Sequence, residues 1–334
     1  MLHEENKRTM KTLSIGKIRG LQQCSTADGK FAILALDHRN NMRRLLHPES
    51  EDLTTAIEII EFKYQVVSAL RNIPSAYLLD PLFGAAQCIS SGILPGGGGL
   101  LVALEATGYT GDQVARQSKI LSNWSVNKIK RMGANGVKLL VYYHPEAKTH
   151  HDIESLVGKV AEDCIEADIP FFLEILTYSL DPNSSTLMND ERYEVIIESA
   201  KRLTALGPDV LKAEFPMDVQ QEDDQEKWQK ACEGLTQASQ VPWILLSASV
   251  DFEMFLRQVE IACRANASGV AVGRAVWKEA TDLRDVERLH FLQSTARARM
   301  QRINQIVVDQ AKPWASYFDP VCANECWYKN YPGS

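Results

Sequence analysis

The chain has 334 residues, 45% hydrophobic and 24% charged, the proportions of a soluble globular protein with a sizeable core. A formal net charge of -7 excludes a broad basic face for nucleic acid, yet leaves room for a local basic pocket that takes a small anion. Seven cysteines without framework spacing indicate reduced thiols in a cytoplasmic protein, and no apolar run reaches the roughly 20 residues of a membrane span.

In chain order, residues 1–30 read as a helical extension. The first strand pattern, Phe31–Leu36, runs directly into Asp37-His38-Arg39. A helical pattern follows over Thr54–Leu70, then a strand over Ala76–Leu79 that stops at Asp80. The glycine run 96–99 precedes the next strand, Leu100–Leu104, so it is a flexible connection and not a phosphate loop. Glu105 ends that strand. The pattern continues with helix Val126–Met132, strand Gly136–Tyr143, helix Asp152–Ala167, strand Pro170–Tyr178 and helix Glu191–Leu206. Strand Val210–Phe215, helix Lys227–Ala238, strand Val241–Ser247, helix Phe252–Ala265 and strand Ser268–Val272 complete it. Asn135-Gly136 and Gly207-Pro208 are helix stop signals.

Eight strand–helix units predict an α/β fold with a parallel sheet closed into a (β/α)8 TIM barrel. The barrel is expected over 31–318 of one domain spanning 1–334, with 319–334 as a tail. Cys322 and Cys326 lie in that tail without a second pair in register, so they are not read as a metal clip.

In such a barrel the chemistry sits at the C-terminal ends of the strands. Nearly every strand here delivers an ionisable or hydroxyl group to that rim. Three charges fall inside the apolar runs: Lys138, Glu174 and Lys212. A buried charge must pair or serve chemistry. Two lysines beside a glutamate suit imine chemistry, because desolvation and a second ammonium favour a neutral amine that attacks a carbonyl, while the carboxylate moves protons. A purely structural Lys–Glu ion pair stays open at this point. Asp37 and Asp80 read either as site residues or as helix caps. Glu105 and Glu214 read as supporting ion-pair partners, and Glu214, two residues beyond Lys212, is expected on the same face of its strand. His144 and the pair His150-His151 lack a metal-ligand spacing such as His-Glu-x-x-His, so no metal and no other cofactor is expected. Ser247, Ala248, Gly273 and Arg274 occupy the ends of strands seven and eight, where barrels commonly bind phosphate.

These segments resemble the class I tagatose 1,6-bisphosphate aldolases. The matches are Leu-Ala-Leu-Asp-His-Arg at 34–39, Leu-Leu-Asp-Pro at 78–81, Leu-Glu-Ala-Thr-Gly-Tyr at 104–109 and Gly-Val-Lys-Leu-Leu-Val-Tyr-Tyr at 136–143. They continue at 169–176, at Asp-Val-Leu-Lys-Ala-Glu-Phe-Pro 209–216, at Leu-Ser-Ala 246–248, at Gly-Arg-Ala-Val-Trp 273–277 and at Lys-Pro-Trp 312–314. The resemblance implies that Lys212 is the Schiff-base lysine, Glu174 the acid/base carboxylate and Lys138 the lysine beside them. It also matches Asp37 and Arg39 to the residues after strand one, and Ser247 and Arg274 to the phosphate region. Two positions depart from the family pattern: His38 stands in place of glutamine and Ser249 in place of glycine. The related sulfofructose 1-phosphate aldolases share the motifs of strands six to eight, and a non-catalytic sugar-phosphate-binding regulator is the reading from another class. The expected partner is a small sugar phosphate, with no nucleic acid and no membrane. Assembly into a homo-oligomer stays open.

Overall fold

The structure is a computed structural model that describes residues 11–184, 186–248 and 250–331. Eight parallel strands close into a barrel in chain order: β1 (Phe31–Leu36), β2 (Ala76–Leu79), β3 (Gly99–Ala103), β4 (Gly136–Tyr142), β5 (Phe171–Leu176), β6 (Val210–Ala213), β7 (Trp243–Leu246) and β8 (Gly269–Val272). β8 pairs with β1 to seal the ring. Helices join successive strands on the outside, so this is the expected (β/α)8 barrel.

The apolar runs form strands because both of their faces are covered, which removes the polar side of the usual alternation. Leu139, Val141, Leu173, Ile175 and Leu211 point outward into the cluster beneath the helices. Their alternates Phe31, Ile33, Phe172, Val210 and Ile244 fill the barrel interior, where Phe31 and Phe172 meet edge to face at 5.7 Å. Helices follow the expected patterns, and several start at side-chain caps. The pattern over Thr54–Leu70 becomes Ala56–Ala69, because Thr55 and Glu58 form a reciprocal capping box. Ser125 caps Val126–Arg131, and Asp251 caps Phe252–Arg264.

The N-terminal end of the barrel is closed. Helix Ile15–Cys24 lies across it, with Leu13 and Leu21 joining Trp314, Tyr317 and Phe318 in the interior cluster. Lys17 Nζ donates to the buried Asp209 carboxylate at 2.7 Å, and Lys11–Thr12 pairs with Phe318–Asp319. With this end sealed, the opposite end is the one left open for a site. Among the described residues no helix is long and apolar enough to cross a membrane.

Candidate active site

The inner face of the barrel changes character one pleat above Phe172 and Val210. Alternation puts Glu174 and Lys212 there, directly opposed in the β5–β6 ladder, and Phe172 is opposed to Lys138 on β4. All three charged side chains are buried. Lys212 Nζ donates to Glu174 Oε2 at 2.7 Å. Lys138 Nζ lies 2.9 Å from that same oxygen, 2.7 Å from Asp37 Oδ2 and 2.7 Å from Glu105 Oε1. Glu105 is held in turn by the Leu140 N–H at 3.1 Å. Arg39 Nη2 donates to the Glu105 carbonyl at 2.8 Å.

Burial opposes charge throughout this cluster, but proximity outweighs it. Three surrounding carboxylates hold the Lys138 pKa well above the ordinary lysine value against its desolvation. Burial would raise Asp37 and Glu174, yet Lys138 and then Lys212 keep both below the usual carboxylate range. The site therefore holds Asp37 and Glu174 ionised beside a protonated Lys138.

A cavity of about 150 Å³ opens above these groups, lined by Asp37, His38, Arg39 and Glu105 and by Ser247, Gly273 and Arg274. Gly273 N–H donates to Ser247 Oγ at 2.9 Å. A Cβ on Gly273 would sit 3.0 Å from the Ala35 carbonyl and 3.1 Å from His38 Cε1, so glycine permits the close approach of β1 and β8 here. His38 packs edge to face on Trp277 at 5.2 Å. Its pKa is pushed down to about 3, first by burial and further by the nearby cations Arg274, Lys212 and Lys63, against the opposing pull of Asp37. Three buried polar atoms around this cavity have no partner among the described residues: His38 Nδ1, Arg39 Nη1 and Arg274 Nε.

Most expected site residues thus meet in one place. Asp37 belongs to the site and caps no helix, since Arg39 is the capping position of Asn40–Leu46. Asp80 goes the other way. Its Oδ1 accepts from the Leu82 and Phe83 N–H groups, and its Oδ2 pairs with the fully buried Lys63, away from the cavity. Ala248 is half-buried next to Ser247 but does not line the cavity. Ser249 lies outside the described residues.

Glu214 corrects an expectation. β6 ends at Ala213, the alternation stops there, and the Glu214 carboxylate accepts from Thr177 N–H at 2.8 Å and pairs with Arg192 at 3.3 Å. Among the described residues it forms no hydrogen bond or ion pair with Lys212. His144 Nδ1 accepts from the Glu146 N–H at 3.1 Å, and among the described residues the potential metal-ligating atoms gathered within 4.8 Å are those of His150, His151 and Glu154. Thr107 and Gly108 also line the cavity, which the sequence reading missed. The signal was the length of the connection after Leu104, since structureless loops beyond about 12–15 residues are uncommon unless functional.

The DeoC/LacD family aldolase model matches residues 31–279. Tagatose 1,6-diphosphate aldolases from Staphylococcus aureus strains MSSA476 and JH9 are each 29% identical over 320 residues, covering 89% of this chain and 97% of theirs. The fold resembles an archaeal fructose 1,6-bisphosphate aldolase, with TM-score 0.56 and 21% identity over 86% of this chain and 98% of that one. It also resembles the fructose-bisphosphate aldolase of Plasmodium falciparum, with TM-score 0.69 and 11% identity over 91% and 98%.

Proposed function

Because the chain belongs to the DeoC/LacD family of aldolases, we propose that it is a class I, Schiff-base aldolase that cleaves a phosphorylated ketose, D-tagatose 1,6-bisphosphate first among them, to dihydroxyacetone phosphate and glyceraldehyde 3-phosphate. The observation that carries this reading is the Glu174 oxygen shared by Lys212 and Lys138 at 2.7 and 2.9 Å, at the open end of the barrel. A purely structural ion pair accounts for one lysine and one glutamate. It does not account for two lysines and three carboxylates beneath a cavity.

In this reading Glu174 takes a proton from Lys212, and the freed amine adds to the ketose carbonyl to give a carbinolamine. Glu174 returns the proton to the departing hydroxyl, water leaves, and a protonated imine remains. Glu174, again ionised, removes the proton of the hydroxyl beyond the scissile bond. The carbon–carbon bond breaks, the aldehyde departs, and the electron pair passes into the imine as an enamine. Reprotonation at carbon and hydrolysis release dihydroxyacetone phosphate and regenerate the amine. Lys138, kept cationic, holds Asp37 and Glu174 in place and stabilises the charge that develops beside it.

The phosphate of the dihydroxyacetone end goes to Ser247, Gly273 and Arg274, with Arg39 reaching the substrate from beyond the end of β1. The unpartnered Arg274 Nε and Arg39 Nη1 support this, because a buried guanidinium N–H without an acceptor is costly until an anion arrives. The same reading treats 1–334 as one barrel domain in the cytoplasm. The test is turnover of D-tagatose 1,6-bisphosphate, fructose 1,6-bisphosphate and sulfofructose 1-phosphate, with borohydride trapping of dihydroxyacetone phosphate. A trapped adduct with preference for the tagatose ester supports the whole reading. Preference for the sulfonate moves the chain to the related sulfosugar reaction, and no adduct with any substrate overturns the Schiff base.

A further inference from the structure

The connection after β3 folds back on itself as a hairpin over residues 105–120, bridged at Glu105–Ile120 and at Thr110–Gln117. Its outward arm supplies Thr107 and Gly108 to the cavity wall. Arg116, on the return arm, is half-buried among three tyrosines. Its guanidinium carbon lies 4.5 Å from the ring centre of Tyr109, 4.5 Å from that of Tyr178 and 5.6 Å from that of Tyr142. Tyr142 is the last residue of β4 and itself lines the cavity.

This arginine has unused capacity. Among the described residues its side chain makes one hydrogen bond, Nε to the Gln113 carbonyl at 3.0 Å, and no ion pair. The buried Tyr178 hydroxyl beside it is also without a partner. Nor does the hairpin need the guanidinium to stay in place. Ser118 Oγ accepts from the Tyr142 N–H at 2.9 Å, Thr149 Oγ1 donates to the Arg116 carbonyl at 3.0 Å, and backbone bonds pair its arms. Stacked rings keep a guanidinium flat and aimed, which suits it to a tetrahedral anion.

We propose that Arg116 binds the second anionic group of an extended substrate, so that the enzyme selects sugars charged at both ends. The proposal rests on the aldolase reading, in which the first phosphate sits at Arg274 and the carbonyl at Lys212. In a closed ring of eight strands, β4 stands opposite β8. Tyr142 and Arg274 therefore occupy opposite sides of the C-terminal rim, with Glu174 and Lys212 on the strands between them. The cavity of about 150 Å³ is small beside the roughly 300–1,000 Å³ of pockets that enclose a drug-sized ligand. A ligand anchored at Arg274 and spanning the lysines must run out over the mouth, toward the hairpin and its uncompensated cation.

The experiment compares the wild type with Arg116→Ala and Arg116→Lys on paired substrates, ketose 1,6-bisphosphate and the matching ketose 1-phosphate, alongside borohydride trapping of dihydroxyacetone phosphate. The expected result is a fall of about 30- to 100-fold in the ratio of kcat/KM for bisphosphate over monophosphate, carried by KM, with partial recovery in Arg116→Lys. An unchanged ratio overturns the proposal, whether both substrates suffer equally because the hairpin is disturbed or neither suffers at all. Failure of the aldolase reading would look different: the wild type itself would trap no adduct and cleave neither sugar.

Discussion

Lys138 and Lys212 meet at a single oxygen atom, Glu174 Oε2, which lies 2.9 Å from one Nζ and 2.7 Å from the other. Their surroundings differ. Lys138 also touches Asp37 and Glu105, whereas Glu174 is the only carboxylate among the described residues that pairs with Lys212. A lysine ringed by three carboxylates is held as a cation, which makes it an electrostatic anchor and a poor nucleophile. The two positions look alike in sequence, each a lysine inside an apolar strand, and the fold separates them by what it brings alongside.

Arg274→Ala should weaken substrate binding. The guanidinium is partly buried and its Nε has no partner, so it loses nothing inside the protein when an anion arrives. A charge-assisted contact to phosphate is worth on the order of 2 kcal/mol, or roughly 30-fold in KM. Steady-state kinetics with the bisphosphate should show that rise with kcat changed far less. An unchanged KM would place the phosphate elsewhere.

Asp37 and Glu174 should make the protein lose stability in acid. Both carboxyls are held below their ordinary values of about 4 by the lysines. The folded state therefore binds fewer protons than the unfolded chain, and stability rises with pH across this range. The contribution is full above about pH 5 and declines as pH falls below about 4. Asp37→Asn removes one such group, so its urea midpoint should be lower than wild type at pH 6 but should fall less between pH 6 and pH 3.5. Parallel pH curves for the two proteins would contradict the assignment.

The barrel was legible because the strands are largely apolar runs followed by rim residues, as Phe31–Leu36 is by Asp37. Lys138, Glu174 and Lys212 were legible for the same reason: a charge in such a run has no inexpensive place to go. What the sequence concealed lies where strands end. Glu214 keeps the two-residue spacing from Lys212, but β6 stops at Ala213 and the side chain turns to Thr177 and Arg192. Asp80 ends its strand just as Asp37 does. Only the fold puts Lys63 under one and Lys138 under the other. The Arg116 hairpin escaped because two isolated bridges leave no run of alternating residues to read.

His38 should stay uncharged at working pH. Its pKa of about 3 follows mainly from burial against Trp277, reinforced by Arg274, Lys212 and Lys63 and only partly offset by Asp37. The imidazole signals should show no titration between pH 5 and pH 8 by NMR. His38→Gln, which restores the glutamine of the family pattern, should leave the shape of the pH–rate profile unchanged over that range. A limb near pH 6.5 that disappears in His38→Gln would show that the ring carries charge during turnover.

The sharpest expectation is that the covalent intermediate forms on Lys212 and not on Lys138. Attack needs the neutral amine, and Lys138 is the less able of the two to supply it, since Asp37, Glu105 and Glu174 together hold its proton. Lys212 has one carboxylate within reach, and that carboxylate is the base positioned to take its proton at 2.7 Å. Borohydride reduction with dihydroxyacetone phosphate, followed by peptide mass spectrometry, should locate the adduct on Lys212. Lys212→Met should lose adduct and turnover together while remaining folded, because Glu174 still pairs with Lys138 at 2.9 Å. Lys138→Met should behave otherwise. Without that cation nothing offsets the Glu174 carboxylate beside the Lys212 amine, which favours the amine's protonated form. Adduct should still appear, but more slowly, and the pH–rate profile should move to the alkaline side. An adduct on Lys138, or turnover surviving in Lys212→Met, would refute the assignment. A Lys138→Met profile displaced toward acid would remove the electrostatic role given to Lys138 while leaving Lys212 as the nucleophile.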